Sequence, residues 1–144
     1  EIIWTHADGQ TPLIDVMKAV EISSYNKNFE IIKGIRVSRK DGIVASCFTF
    51  GLNFILILTC NFRYRSPNSQ PTLIKNYLLK KIITKTEDNA NFDISVLIKA
   101  KRFQNRIIRF PVDFKDRNKG KGSNENFFDK VKYSCSMLRY ILLN

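Results

Sequence analysis

The chain has 144 residues, enough for one domain with its own core, and 44% of them are apolar. Lys and Arg number 24 against 13 Asp and Glu, a net charge of 24 − 13 = +11, so acidic partners are expected: nucleic acid, an anionic membrane face or an acidic protein. Cys47, Cys60 and Cys135 are odd in number and far apart, which argues against a disulfide framework or a zinc site and for buried cytosolic thiols.

Ile2–Thr5 reads as a first strand, closed by Asp8-Gly9. Thr11-Pro12 then supplies a helix start, a hydroxyl cap followed by proline at the first helical position. Leu13, Val16, Met17 and Val20 fall at helical spacing and predict the buried face, with Lys18 and Glu21 pointing away from it. Phe29–Val37 alternates as a strand, Arg39–Gly42 makes a charged turn, and Ile43–Phe50 resumes the extended pattern. Phe54–Tyr64 is the strongest strand signal: Phe54, Leu56, Leu58, Cys60, Phe62 and Tyr64 occupy one side. The apolar run Ile43–Phe62 is interrupted by Ser46, Thr49, Asn53, Thr59 and Asn61, which suits buried strands better than a membrane-spanning helix.

Residues 66–90 read as an insertion between strands, with a basic amphipathic helix over Leu73–Ile83. Its apolar positions 74, 77, 78 and 82 are expected against the domain, leaving Lys75, Lys80, Lys81 and Lys85 at the surface. Phe92, Ile94, Val96, Ile98 and Ala100 predict another strand, and Ile108, Phe110, Val112 and Phe114 its returning partner. Pro111 cannot donate to a ladder, so this last strand is expected at an edge or a bulge. A basic glycine loop, KDRNKGKG, leads to a final helix capped by Ser123 or Asn124. Its stripe is Phe127, Phe128, Val131, Cys135, Leu138 and Leu142.

These elements predict one α+β domain over residues 1–144. Its expected form is an antiparallel four- to five-stranded sheet with two amphipathic helices packed on one face, in the order β-α-β-β-β-β-α. Catalytic signals are sparse. His6 is the sole histidine, and no nucleophile or carboxylate is spaced to single itself out as its partner. The GKGS at 120–123 does not satisfy a phosphate-loop pattern. No metal set and no cofactor motif is visible, so the domain is expected to be non-catalytic. Chain start at Glu1, and not at a methionine, suggests a piece of something longer; no signal-peptide pattern opens it, so a soluble intracellular domain is expected.

Four segments taken in order resemble the kinase-associated-1 domain found at the ends of microtubule-affinity-regulating and AMPK-related kinases. TPLIDVMKAVEI is similar to that family's PxxVMxEVxRAL helix, and LILTCNFRYR to its YxLRCRW strand. FDISVLIKAKRF and RIIRFPVDFKDRNKG resemble its paired strands FEIQVYKL and YLLDFKRISG, and FFDKVKYSCSMLRYIL its last helix. The Asn-, Lys- and Ile-rich composition suits a fungal member, such as a septin-associated bud-neck kinase of yeast.

The resemblance implies the tail of a Ser/Thr protein kinase that binds acidic phospholipids, notably phosphatidylserine and also phosphoinositides. It places the domain at the cytoplasmic face of the plasma membrane, with the bud neck as the site in a septin-associated member. Its own kinase domain or septins are the implied protein partners. By position, the lipid-binding residues are Lys18 on the first helix and Lys115 and Arg117 in the FKDRNKG segment, while Glu21 departs from the family's basic pattern. Lys119 and Lys121 join by proximity, and Lys75, Lys80 and Lys81 would extend the surface. From Arg109 to Lys121, with Asp113 set aside with the strand, five basic residues stand against Asp116. Several such cations converging on an anionic surface suffice for reversible docking, at about 1 kcal/mol each. Two rival readings stay open: a module docking on its own kinase or an acidic scaffold, and an RNA-binding sheet stacking bases on Phe62 and Tyr64. The second lacks any recognisable RNA-binding motif, and no specific nucleic acid partner is expected.

Overall fold

The computed structural model of the chain describes residues 1–7, 10–37, 47, 50, 51, 53–58, 66–86, 91–102, 106–113 and 127–143. The fold is α+β, built on one four-stranded sheet whose order is β1-β3-β2-β4. The strands are β1 (Ile2–Trp4), β2 (Ile31–Arg36), β3 (Thr72–Ile74) and β4 (Ile107–Val112). The sheet is mixed: β3 runs antiparallel to both β1 and β2, whereas β4 lies parallel to β2. Pro111 stands on β4, which pairs with β2 alone and forms one edge, where a missing N–H costs no ladder bond.

Helices cover both faces of the sheet. α1 (Leu13–Tyr25) packs on the face of Ile32, Leu73, Phe110 and Val112 through Ala19 and Ile22. α3 (Asn76–Ile82) and α4 (Phe92–Arg102) pack on the opposite face, where Leu78, Leu79, Ile82, Val96, Leu97 and Ala100 meet Ile31 and Ile74. A short 3-10 turn, Ile83–Lys85, follows α3. A third cluster lies beyond α4: Ile94 and Ile98 on its outer side meet Leu56 of α2 (residues 53–58). Met137, Tyr140 and Ile141 of α5 (Phe127–Leu143) complete that cluster.

Several expectations are corrected by this arrangement. Phe92–Ala100 is helical, because α4 is apolar on two sides: Val96, Leu97 and Ala100 face the sheet while Ile94 and Ile98 face α2 and α5. Apolar residues all round a helix blur its 3.6-residue period into an apparent alternation. The same holds for residues 53–58, expected as a strand and found as α2; residues 59–65 lie outside those described. Residues 47 and 50, expected extended, are also helical. The segment expected as an insertion at about 66–90 contributes β3, an internal strand of the sheet, and α3, part of the core.

The sheet is therefore not wholly antiparallel, and the two helices expected on one face are divided. Among the described residues α1 packs on one face, while α5 packs against the outer side of α4 beyond the other. The order of elements differs too, and residues 92–102 of the segment matched to a kinase-associated-1 strand, FDISVLIKAKRF, are α4.

Helix α1 also turns the other way. Its buried residues are Asp15, Ala19 and Ser23, while Leu13, Met17 and Val20 are exposed. Ala19 brings no bulk to the contact, so the helix backbone can lie close to the sheet. Pro12 occupies the N-cap position and no side chain caps the helix. In α5 the inward residues are Met137, Tyr140 and Ile141, and Phe128, Cys135 and Leu142 of the expected stripe face outward. Cys47 and Cys135 are thus exposed free thiols and not the buried ones expected; Cys60 lies outside the described residues.

Candidate functional site

One transverse row crosses all four strands on the face beneath α3 and α4. Trp4 pairs with Thr72, Thr72 with Lys33, and Lys33 with Arg109. Lys33 is 1% exposed, a lysine enclosed in an apolar layer. Its Nζ donates to Thr72 Oγ1 at 2.8 Å and to Asp93 Oδ1 at 3.1 Å. Asp93, in the first turn of α4, is the hub: Trp4 Nε1 donates to Oδ1 at 3.2 Å, and Gln70 Nε2 to Oδ2 at 2.8 Å. A carboxylate in a helix's first turn also meets the positive end of the helix dipole.

The electrostatics follow from that enclosure. Burial pushes the Lys33 ammonium down; Asp93 opposes the shift, and Arg109 and Arg36 add to it. Burial would raise the Asp93 carboxyl, but the Lys33 charge and the hydrogen bonds from Gln70, Lys33 and Trp4 outweigh it and hold the group below its ordinary value. Nearby, Asn68 Nδ2 donates to Tyr133 Oη at 2.8 Å, tying the β3 approach to α5. Burial pushes the Tyr133 phenol up to about 12, with Asp93 adding to the rise. This network fixes helix to sheet. Among the described residues no group of three His, Cys, Asp or Glu is placed to hold a metal ion.

The surfaces are a different matter. Lys18 pairs with Asp15 at 2.8 Å, so its charge is largely answered within α1. Lys75 sits over the Phe29 ring, 4.5 Å from the centroid, and 3.6 Å from Glu1. Lys80 and Lys81 are exposed on α3, on the opposite side of the sheet from Lys18. One flat surface cannot meet both groups at once. The predicted residues Lys115, Arg117, Lys119 and Lys121 lie outside the described residues.

Helix α5 exposes Phe128, Leu142 and Leu143 near its ends, and helices α1 and α2 each present a group of apolar side chains to solvent. On α1 these are Leu13, Ile14, Met17, Val20 and Tyr25, beside a groove of about 430 Å³ running to Phe110 and Pro111 on β4. On the other side of the molecule Phe54 is 55% exposed and Leu58 68%, with helical Phe50 at 75% before them. Phe54 and Leu58, expected on a buried strand face, are exposed on a helix, and the one sequence feature that marks the stretch is its lack of any charge. The Lys33–Asp93 pair was signalled only by a lysine amid isoleucines, since its partner is 60 residues away.

No family model, no curated protein and no solved structure matches this chain. No helix among the described residues is long and apolar enough to cross a membrane.

Proposed function

We propose that this domain is a non-catalytic module that docks on anionic phospholipid surfaces. The observation that carries the reading is the pairing of a +11 chain with outward-facing apolar residues on its helices. Apolar side chains entering the headgroup layer, with Lys and Arg around them, are what holds a peripheral protein at an interface. Electrostatic attraction to phosphatidylserine or phosphoinositides brings the protein in, and apolar contact slows its departure. In this reading the basic loop of Lys115, Arg117, Lys119 and Lys121 supplies much of the charge, since it leads directly in sequence into α5.

The location that follows is peripheral, at a cytoplasmic membrane face rich in acidic lipid. An attached chain, a Ser/Thr kinase by the resemblance drawn above, would be carried there with it. Co-sedimentation with phosphatidylserine vesicles, neutral vesicles and single-stranded RNA tests the reading. Binding to the anionic vesicles alone supports it; preference for RNA, or equal binding to neutral lipid, would overturn it.

A further inference from the structure

The apolar surfaces of α1 and α2 face solvent on opposite sides of the sheet, and a bilayer can meet only one of these two at a time. We infer that the element entering the membrane is α2, with Phe54 and Leu58 as the inserting side chains and anionic phospholipid as the occupant. This inference rests on the proposed function and names the surface that performs it.

Charge separates the two candidates. On α1 the apolar residues share their helix with Asp15, Lys18 and Glu21, two acids to one base, and Asp113 lies near enough to act on Lys18. Lys18 and Glu21 both line the groove beside that helix, and Lys18 is paired with Asp15. An anionic surface finds no excess of positive charge on α1. The α2 stretch differs: from Gly42 to Phe62 the sequence holds no charged residue. Arg39 and Lys40, with Asp41, precede that run in sequence, and Arg63 and Arg65 follow it. An uncharged stretch rich in Phe, Leu and Ile, with cations close to it in sequence, has the make-up of an interfacial segment.

The packing around α2 agrees. Its inward residue Leu56 is anchored against Met137, Tyr140 and Ile141 of α5. That anchorage fixes the helix on the domain while Phe54 and Leu58 stay outside.

The test compares two double variants of the full chain in co-sedimentation with phosphatidylserine-containing vesicles. Phe54→Ser with Leu58→Ser removes the α2 side chains; Leu13→Ser with Met17→Ser removes their counterparts on α1. All four are exposed residues, so melting should be unchanged in both proteins. The α2 double is expected to weaken binding about tenfold or more, the effect of withdrawing two apolar side chains from the interface. The α1 double should leave it within twofold. Greater loss from the α1 pair, or equal loss from both, would overturn the assignment of α2 while leaving vesicle docking intact. Failure of the unmodified chain to bind the vesicles would instead remove the proposed function.

A second readout guards against a folding defect. A fluorophore on Phe54→Cys, in a chain with Cys47, Cys60 and Cys135 changed to Ser, should shift to the blue on these vesicles and be quenched by nitroxide-labelled lipid. The same label on Met17→Cys should do neither. Quenching at position 17 and not at 54 would contradict the inference directly.

Discussion

Lys33 Nζ lies 3.1 Å from Asp93 Oδ1, joining the middle of β2 to the first turn of α4 inside a covered face of the sheet. Removing one partner of such a pair leaves an uncompensated buried charge, which costs about 3–5 kcal/mol. Asp93→Ala should therefore lower unfolding stability by that order in a urea titration. The double variant Lys33→Met with Asp93→Leu should lie much nearer the original protein, because both charges go together. A double variant as unstable as the single one would show that the packing of the site, and not its charge balance, decides stability.

The same pair sets a pH dependence. The Asp93 carboxyl is held below its ordinary value of 3.8 in the folded chain. Its contribution is present above that value and is lost as pH falls through the lower folded value, because the unfolded chain then takes up the proton first. Stability measured from neutral pH down to about 2 should fall steeply below about 4. In Asp93→Asn that part of the fall should be missing. An unchanged acid limb would place the titration elsewhere.

Gly34 lies where β2 meets β4 and the approach to β3. A Cβ added there would stand 2.7 Å from Val112 Cγ1 and 2.9 Å from the Gln70 carbonyl oxygen. The carbonyl is backbone and cannot swing aside. Gly34→Ala should cost about 1–3 kcal/mol through forced separation of the strands. A neutral or stabilising result in thermal melting would contradict this local packing.

How much of this was legible in the sequence depends on how many sides each element buries. Strands β2 and β4 are recognisable from their alternation, and Pro111 correctly marks an edge. Helices α2 and α4 are not: Leu56 packs inward while Phe54 and Leu58 face out, and Ile94 and Val96 belong to different clusters, so neither helix shows one polar face. Strand β3 is three residues long and follows Pro71, too short for a period to register. On α1 the pattern is strong, but it marks an exposed surface, since Ala19 and Ser23 take the buried positions. Periodicity identifies an apolar stripe; it does not say what covers it. The basic candidate residues were visible as charges, yet only the fold shows that Lys18 stands apart from Lys80 and Lys81.

That separation gives a further prediction. With α2 toward the membrane, Lys18 faces away from it and is paired with Asp15. Lys18→Ala should leave vesicle binding unchanged. Lys115→Ala with Arg117→Ala should weaken it several-fold and flatten its salt dependence, while thermal stability hardly moves. Equal losses from both changes would describe a diffuse cation without an oriented face.

The most direct measurement is co-sedimentation of the intact chain with vesicles containing phosphatidylserine, compared with neutral phosphatidylcholine vesicles as salt is raised. The account predicts binding to the anionic vesicles that weakens from about 0.1 to 0.5 M salt, as the screening length falls from roughly 10 Å to under 5 Å. It predicts little binding to the neutral ones. Equal binding to both, or binding to neither, would contradict it.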